Sequence, residues 1–198
     1  MSELVEKESL SYLLAGVDEA GVSPIAGPVV AAAVILDPNR KIYKIRDSKL
    51  VSAINRERLY AKITSRALAY SVGIATVEEI DRLNIHYATM LAMERAIRGL
   101  PLKATLILID GNRAPKIDYP MKTIVSGDRL IKTISAASII AKVTRDRLMI
   151  EYHKVYPFYS FAQHKGYKTK EHQMLLKQFG VSPIHRQTFT AVTESIKY

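Results

Sequence analysis

The sequence contains no cysteine. Disulfides and thiolate metal sites are therefore excluded, and a reducing cytoplasm is the natural setting. A metal site in this chain must be built from carboxylates, imidazoles and carbonyls. That donor set favours hard cations such as Mg²⁺ or Mn²⁺ over structural zinc. Long hydrophobic runs are also lacking. Residues 20–36 carry no charge, but Pro24, Gly27 and Pro28 interrupt them and leave only 29–36 continuous. That is a strand's length, well short of the roughly 20 apolar residues a membrane-spanning helix needs. The opening MSELVEKESLSYLL carries acids where a signal peptide would be basic and then apolar. These absences read as a soluble, cytoplasmic chain with no membrane partner. Repeats, low-complexity stretches and Gly/Ser linkers are missing too, and without a Gly-rich phosphate loop a metabolite enzyme has no motif to support it.

What is present suits a folded catalytic domain. The chain has 198 residues, 48% of them hydrophobic, enough to bury a core in one domain. Its net charge of +10 is unevenly placed: residues 1–128 hold 17 Lys/Arg against 15 Asp/Glu, and residues 129–198 hold 12 against 4. A basic C-terminal third points to a polyanionic partner, whose phosphates release counterions on binding. A solubilising surface is the alternative reading of the same charge.

Apolar runs with strand character fall at residues 13–17, 29–36, 67–75, 105–109 and 122–125. Ser52 can cap a helix to about residue 65, and Thr76-Val77-Glu78-Glu79 has the form of a capping box. A further helix is predicted over 85–98, a long one from about 129 to 155, and one capped by Thr169 that ends at Gly180. The first strands follow too closely for helical crossovers and should pair antiparallel. Strand 105–109 follows a helix and can lie parallel to its neighbour. The predicted fold class is α/β: a mixed sheet flanked by helices, with a basic helical C-terminal segment.

Acids stand at informative places. Asp18 and Glu19 end the first apolar strand just before Gly21, and Asp110 ends another just before Gly111. Asp128 follows Gly127 and opens the long helix. Strand ends open into a crevice where water and metal can reach. Carboxylates converging there repel one another unless a divalent cation neutralises them, an arrangement suited to two-metal phosphodiester hydrolysis. Taken singly, each acid is equally well a turn former or an N-cap. Alternation sends Asp18 and Glu19 to opposite faces unless the strand bends at the Gly21 turn.

The motifs nevertheless resemble a known family. Gly16-Val17-Asp18-Glu19-Ala20-Gly21 and Pro24-Ile25-Ala26-Gly27-Pro28 resemble the opening of bacterial ribonuclease HII, the type 2 ribonuclease H. The likeness continues through Asp47-Ser48-Lys49, Glu78-Glu79-Ile80-Asp81-Arg82-Leu83-Asn84-Ile85 and Ile109-Asp110-Gly111-Asn112. It then runs through Gly127-Asp128, Ala136-Ala137-Ser138 to Arg145-Asp146-Arg147, His164-Lys165-Gly166-Tyr167 and Ser182-Pro183-Ile184-His185-Arg186. The ordered set spans residues 16 to about 192.

The resemblance implies a ribonuclease H-like fold in a single domain over 1–198, with residues about 156–198 as a C-terminal helical substrate-binding extension. It implies endonucleolytic hydrolysis of the RNA strand of RNA/DNA hybrids, and of ribonucleotides embedded in DNA, leaving 5′-phosphate and 3′-hydroxyl ends. The metal-binding and catalytic acids map onto Asp18, Glu19, Asp110 and Asp128, with Mn²⁺ or Mg²⁺ as cofactor. The chain is expected to act as a monomer on a hybrid duplex. Substrate contacts are expected from Gly21, Val22 and Ser23, from Lys49 and from Tyr167, whose ring can pack on a sugar. Ser48, Lys142, Arg145, His164, Lys165 and Arg186 are the expected phosphate contacts. Asp146, between two arginines in the long helix, reads as a structural ion-pair partner. A hybrid-binding protein without turnover and a related DNA nuclease on the same fold are the competing readings.

The sequence departs from the family pattern in three substrate-contacting segments. Gly21-Val22-Ser23 stands where Gly-Arg-Gly is usual, removing a cation and adding a Cβ where glycine tolerates positive φ. Lys168 replaces a usual glycine, and Asp47-Ser48-Lys49-Leu50-Val51-Ser52 looks shifted relative to the common form with two lysines. The expectation is retained chemistry with weakened recognition of single ribonucleotides.

Overall fold

A computed structural model describes residues 13–43, 45 and 51–196. Its centre is a five-stranded mixed sheet in the order β3-β2-β1-β4-β5. Strand β1 (Leu14–Ala20) pairs antiparallel with β2 (Val29–Ile35), which pairs antiparallel with β3 (Ala69–Ala75). On its other side β1 runs parallel to β4 (Leu106–Asp110), and β4 parallel to β5 (Met121–Ile124). The predicted pairing directions are those observed.

Two layers of helix cover the sheet. On one face, α2 (Val77–Leu83) and α3 (Ile85–Arg98) pack on Ala15, Val17, Ala31, Ala33, Ile107 and Ile109. On the other, α1 (Ala53–Arg66) and the long α5 (Lys132–Val155) pack on Ala32 and Val34. Small side chains keep these layers close. Gly16 marks the tightest crossing, where an added Cβ would meet the Thr133 carbonyl carbon at 2.1 Å. Any larger residue there would push α5 off the central strand.

Two boundaries differ from expectation in ways that shape the site. Strand β1 runs on to Ala20, because its ladder with β2 continues to the Ala20–Val30 pair. Asp18 and Glu19 are therefore inside a strand and point to opposite faces. The predicted long helix breaks at Ile131, which is extended at φ −119°, ψ 119°. The break leaves the short α4 (Gly127–Leu130) ahead of α5.

After α5 the chain forms a 3₁₀ turn (Pro157–Tyr159), α6 (Phe161–His164), α7 (Lys170–Phe179) and α8 (Thr190–Ile196). This segment is joined by backbone to the loop between β1 and β2. The Ile25 amide donates to Gly166 O at 2.9 Å, Gly27 N to Ile184 O at 2.8 Å, and Arg186 N to Ile25 O at 2.9 Å. Asp81 of α2 accepts from the Gln187 and Thr188 amides at 3.1 and 3.0 Å. No helix among the described residues is long and apolar enough to cross a membrane.

The predicted capping box is complete. Thr76 Oγ1 accepts from the Glu79 amide, and Glu79 Oε2 accepts from the Thr76 amide at 2.9 Å. Arg95 of α3 grips the same carboxylate at 2.6 Å. This contact holds the Glu79 carboxyl at about 2, below its ordinary value of 4.5. The stabilisation is therefore complete above pH 4.5 and is lost as the pH falls through about 2. Thr76→Ala is expected to cost about 1 kcal/mol, roughly 2–4 °C in Tm for a chain of this size. Glu79→Gln should lower Tm at pH 7 by an amount that shrinks between pH 4.5 and 2 in a calorimetric series.

Candidate active site

Parallel pairing brings the strand-end acids together. Gly16 sits opposite Leu108 and Val17 opposite Ile109. Two residues further on, the same register sets Asp18 beside Asp110 on the face that α5 covers. Strand β5 is also parallel, with Ile124 opposite Asp110, so the chain leaves it at the same edge and turns into α4. There Asp110 Oδ1 accepts from the Gly127 amide at 2.7 Å and the Asp128 amide at 3.3 Å. One oxygen of Asp110 thus clamps the turn that delivers Asp128. Carboxylate oxygens of Asp18, Asp110 and Asp128 all lie within 4.8 Å of one another.

Helix α5 supports this cluster with two serines three residues apart. Ser138 hydrogen-bonds the Asp18 carboxylate, and Ser135 Oγ donates to the Asp128 carbonyl at 2.6 Å. Neither was singled out from the sequence. The available signal was a polar pair at i, i+3 on an otherwise apolar face opposite acid-ended strands.

Asp18 is only 5% exposed and Asp128 only 4%. Burial, then the charge of Glu19, hold the Asp18 carboxyl well above the usual carboxylate range. The Asp110 charge adds to this, while Ser138 and the Glu19 amide oppose it. Three carboxylate oxygen donors converge here, a donor set that fits a divalent hard cation. Glu19 stands outside that trio. It projects to the α3 face, where it lines a cleft of about 250 Å³ with Val22, His86, Asp110 and Asn112. Asp110 borders both groups, so Glu19 flanks the cluster across the edge of β1.

The expected substrate contacts fall into four groups. Tyr167 is 39% exposed, and Lys142 Nζ and Arg145 Cζ lie 5.4 and 5.8 Å from its ring centroid. Lys142 also pairs with Asp146 at 2.7 Å, which makes Asp146 the structural partner predicted, though of Lys142 and not of its arginine neighbours. Ser138 and Lys142 are one turn apart on α5, so the Tyr167–Lys142 patch begins about 6 Å along the helix from the acids. Ser23 is exposed and Val22 half-buried, while Gly21 is buried with φ +101°. Ser48 and Lys49 lie outside the described residues.

The remaining expected phosphate contacts point inward. Arg145 and Arg186 are both 0% exposed. Arg145 donates to the carbonyls of Pro28 (3.0 Å), Ala26 (3.0 Å) and Lys165 (2.9 Å). Arg186 donates to those of Gly21 (2.5 Å), Val22 (2.9 Å) and Gly27 (2.8 and 2.9 Å). With every guanidinium nitrogen so engaged, neither side chain is placed to meet a phosphate. His164 is buried, its Nε2 against Tyr159 O at 2.6 Å and its Nδ1 accepting from Gly166 N. Lys165 Nζ turns back onto the Ala162 carbonyl. Arg145, His164 and Arg186 shape the loops instead of lining the surface, and Lys165 is half-buried. Two further buried histidines, His172 and His185, meet through their Nε2 atoms at 3.0 Å beneath the Tyr167 loop.

Known proteins are similar along almost the whole chain. A family model described as Ribonuclease HII matches residues 15–192. A Ribonuclease HII of Paracidovorax citrulli is 55% identical over 185 residues, covering 93% of this chain and 77% of that protein. One from Acidovorax sp. (strain JS42) is 52% identical over 200 residues, covering 99% and 96%. Among solved structures, the ribonuclease H2 of Pyrococcus horikoshii OT3 superposes with a TM-score of 0.79 at 26% identity, covering 93% of this chain and 97% of that one.

A stability measurement tests the carboxylate cluster. Because the Asp18 carboxyl is held above its unfolded value, ionising it costs folding free energy. In the metal-free protein the favourable contribution is full below the unfolded value and is lost as the pH rises through the folded one. Asp18→Asn should therefore raise the Tm of metal-free protein at pH 8, by roughly 2–4 °C for each kcal/mol relieved. Added Mn²⁺ should raise the Tm of the unsubstituted protein and leave that of the variant nearly unchanged.

Proposed function

Since this chain belongs to the ribonuclease HII family, metal-dependent endoribonucleases that act on RNA/DNA hybrids, we propose that Asp18, Asp110 and Asp128, flanked by Glu19, are the residues that carry out its cleavage. The observation that supports this most directly is the 4.8 Å convergence of three carboxylates at the edge where the parallel strands end. Divalent cations, Mn²⁺ or Mg²⁺, would be held by these acids in a two-metal arrangement and would supply activation of a water and neutralisation of charge on the leaving 3′ oxygen. The chain's part is to hold its ligands in place before substrate arrives. Asp110 is set by two backbone amides, Asp18 by Ser138, and Asp128 by the turn that Asp110 clamps. Such preorganisation avoids rearrangement during the reaction. The products are 5′-phosphate and 3′-hydroxyl ends.

Recognition of the hybrid falls to the Gly21-Val22-Ser23 loop and to Tyr167 with Lys142. Tyr167 offers its ring to a sugar, and Lys142 offers charge to a phosphate. The working unit is proposed to be a monomer. The loop departure acts mainly through charge. Ser23 takes no positive φ, and Gly21, which does, keeps its glycine. The missing cation at position 22 is then what weakens the grip on a single embedded ribonucleotide.

Cleavage assays on a uniform RNA/DNA hybrid, a DNA duplex with one ribonucleotide and an all-DNA duplex test this reading. Asp18→Asn and Asp110→Asn should each lower kcat by about 10³-fold or more while hybrid binding persists. Cutting of the all-DNA duplex, or undiminished turnover in either variant, would sink it. Val22→Arg should raise kcat/KM on the single-ribonucleotide duplex several-fold relative to the hybrid. A rise of equal size on both substrates would leave the loop without a role in that discrimination.

A further inference from the structure

We infer that Arg186 is a positioning residue, which draws the carbonyls of Gly21 and Val22 inward and thereby aims the amides of Val22 and Ser23 outward at the ribonucleotide. The inference rests on the reading that this loop contacts substrate, and it names the group that gives the loop its shape.

The geometry follows from peptide planarity. In a trans peptide the C=O of one residue and the N–H of the next point in opposite directions. The chain has no cis peptide among its described residues. Arg186 Nη2 takes the Gly21 carbonyl at 2.5 Å and Nη1 the Val22 carbonyl at 2.9 Å. The N–H groups of Val22 and Ser23 must then face away from the buried guanidinium. Val22 lines the cleft that holds Glu19 and Asp110, and Ser23 is exposed. Two successive outward amides form a concave pair of donors, able to receive a hydroxyl or a phosphate oxygen. The side chains at positions 22 and 23 do not enter this construction. Donors of this kind survive the replacement of Gly-Arg-Gly by Gly21-Val22-Ser23.

One guanidinium performs two tasks. Its Nε and Nη2 also hold Gly27 O, at 2.9 and 2.8 Å, so Arg186 ties the start of the loop to its end. Planar donors in a fixed fork can serve three carbonyls at once, whereas a lysine ammonium acts from a single point. Arg145 provides an internal control. It is equally buried and packs against Gly21, but it donates to the loop at Ala26 and Pro28 and leaves the Gly21 and Val22 carbonyls to Arg186.

The test compares kcat/KM on a single-ribonucleotide duplex with that on a uniform hybrid for each variant. The ratio within one preparation does not depend on the fraction of molecules that fold. Arg186→Lys should lower the ratio about 10-fold or more, with the loss mainly in KM, and Arg145→Lys should lower both values and leave the ratio near that of the unsubstituted protein. Arg186→Ala serves as the second variant, and added ethylguanidinium should restore its ratio. Val22→Pro removes one outward N–H without touching a buried donor, and should lower the ratio as Arg186→Lys does. If Val22→Pro shifts the ratio and Arg186→Lys does not, the assignment to Arg186 is overturned while the loop contact stands. An unchanged ratio in Val22→Pro overturns the loop contact itself, and an equal shift in Arg145→Lys reduces Arg186 to general loop stability.

Discussion

The parallel pairing of β1 with β4 is the interaction on which the rest of the site depends. Parallel strands finish at the same edge of a sheet, so acids at corresponding ends become neighbours. An antiparallel β4 would have carried Asp110 to the far edge from Asp18. With β5 parallel as well, the next turn emerges beside Asp110, and a single carboxylate oxygen there fixes the backbone that presents Asp128. Helix α5 can then approach close enough, over Gly16, to set Ser138 against Asp18 and Ser135 against the Asp128 backbone.

The same arrangement sets function against stability. Carboxylates crowded at a buried edge resist ionisation, and the Asp18 carboxyl is pushed well above its ordinary range by burial and by its acidic neighbours. The fold tolerates that because the surrounding layers are tightly packed with small residues and close backbone crossings. A cation converts the repulsion into binding, so the groups that weaken the metal-free fold are those that would hold the metal.

Away from the acids, the two buried arginines knit the chain's early loop to its C-terminal segment. Arg145 and Arg186 lie in different parts of the sequence, yet each donates to several carbonyls of the loop between β1 and β2. Desolvation moves both guanidiniums below their ordinary pKa, Arg186 to about 9. Buried charge of this kind is tolerated where every donor is matched. The consequence is a loop whose Gly21 and Val22 carbonyls face inward, so that the amides following them face outward. The C-terminal segment therefore belongs to the same packed body as the sheet.

Much of this was legible in the residues themselves. Alternation and apolar runs located all five strands, the capping box at Thr76 proved complete, and the ordered motifs named the family. Those features are local, set by hydrogen-bonding geometry within a few residues or by motif order along the chain. Three things were decided only by tertiary structure. Whether Asp18 and Glu19 share a face depended on how far the β1–β2 ladder ran, and it runs to Ala20, which sends them apart. Whether a basic residue meets solvent or a carbonyl depended on packing between distant segments, so Arg145, His164 and Arg186 read as surface contacts and turned out buried. The convergence of Asp18, Asp110 and Asp128 depended on strand register. A sequence specifies the acid at each strand end, but only the pairing of strands decides which ends meet.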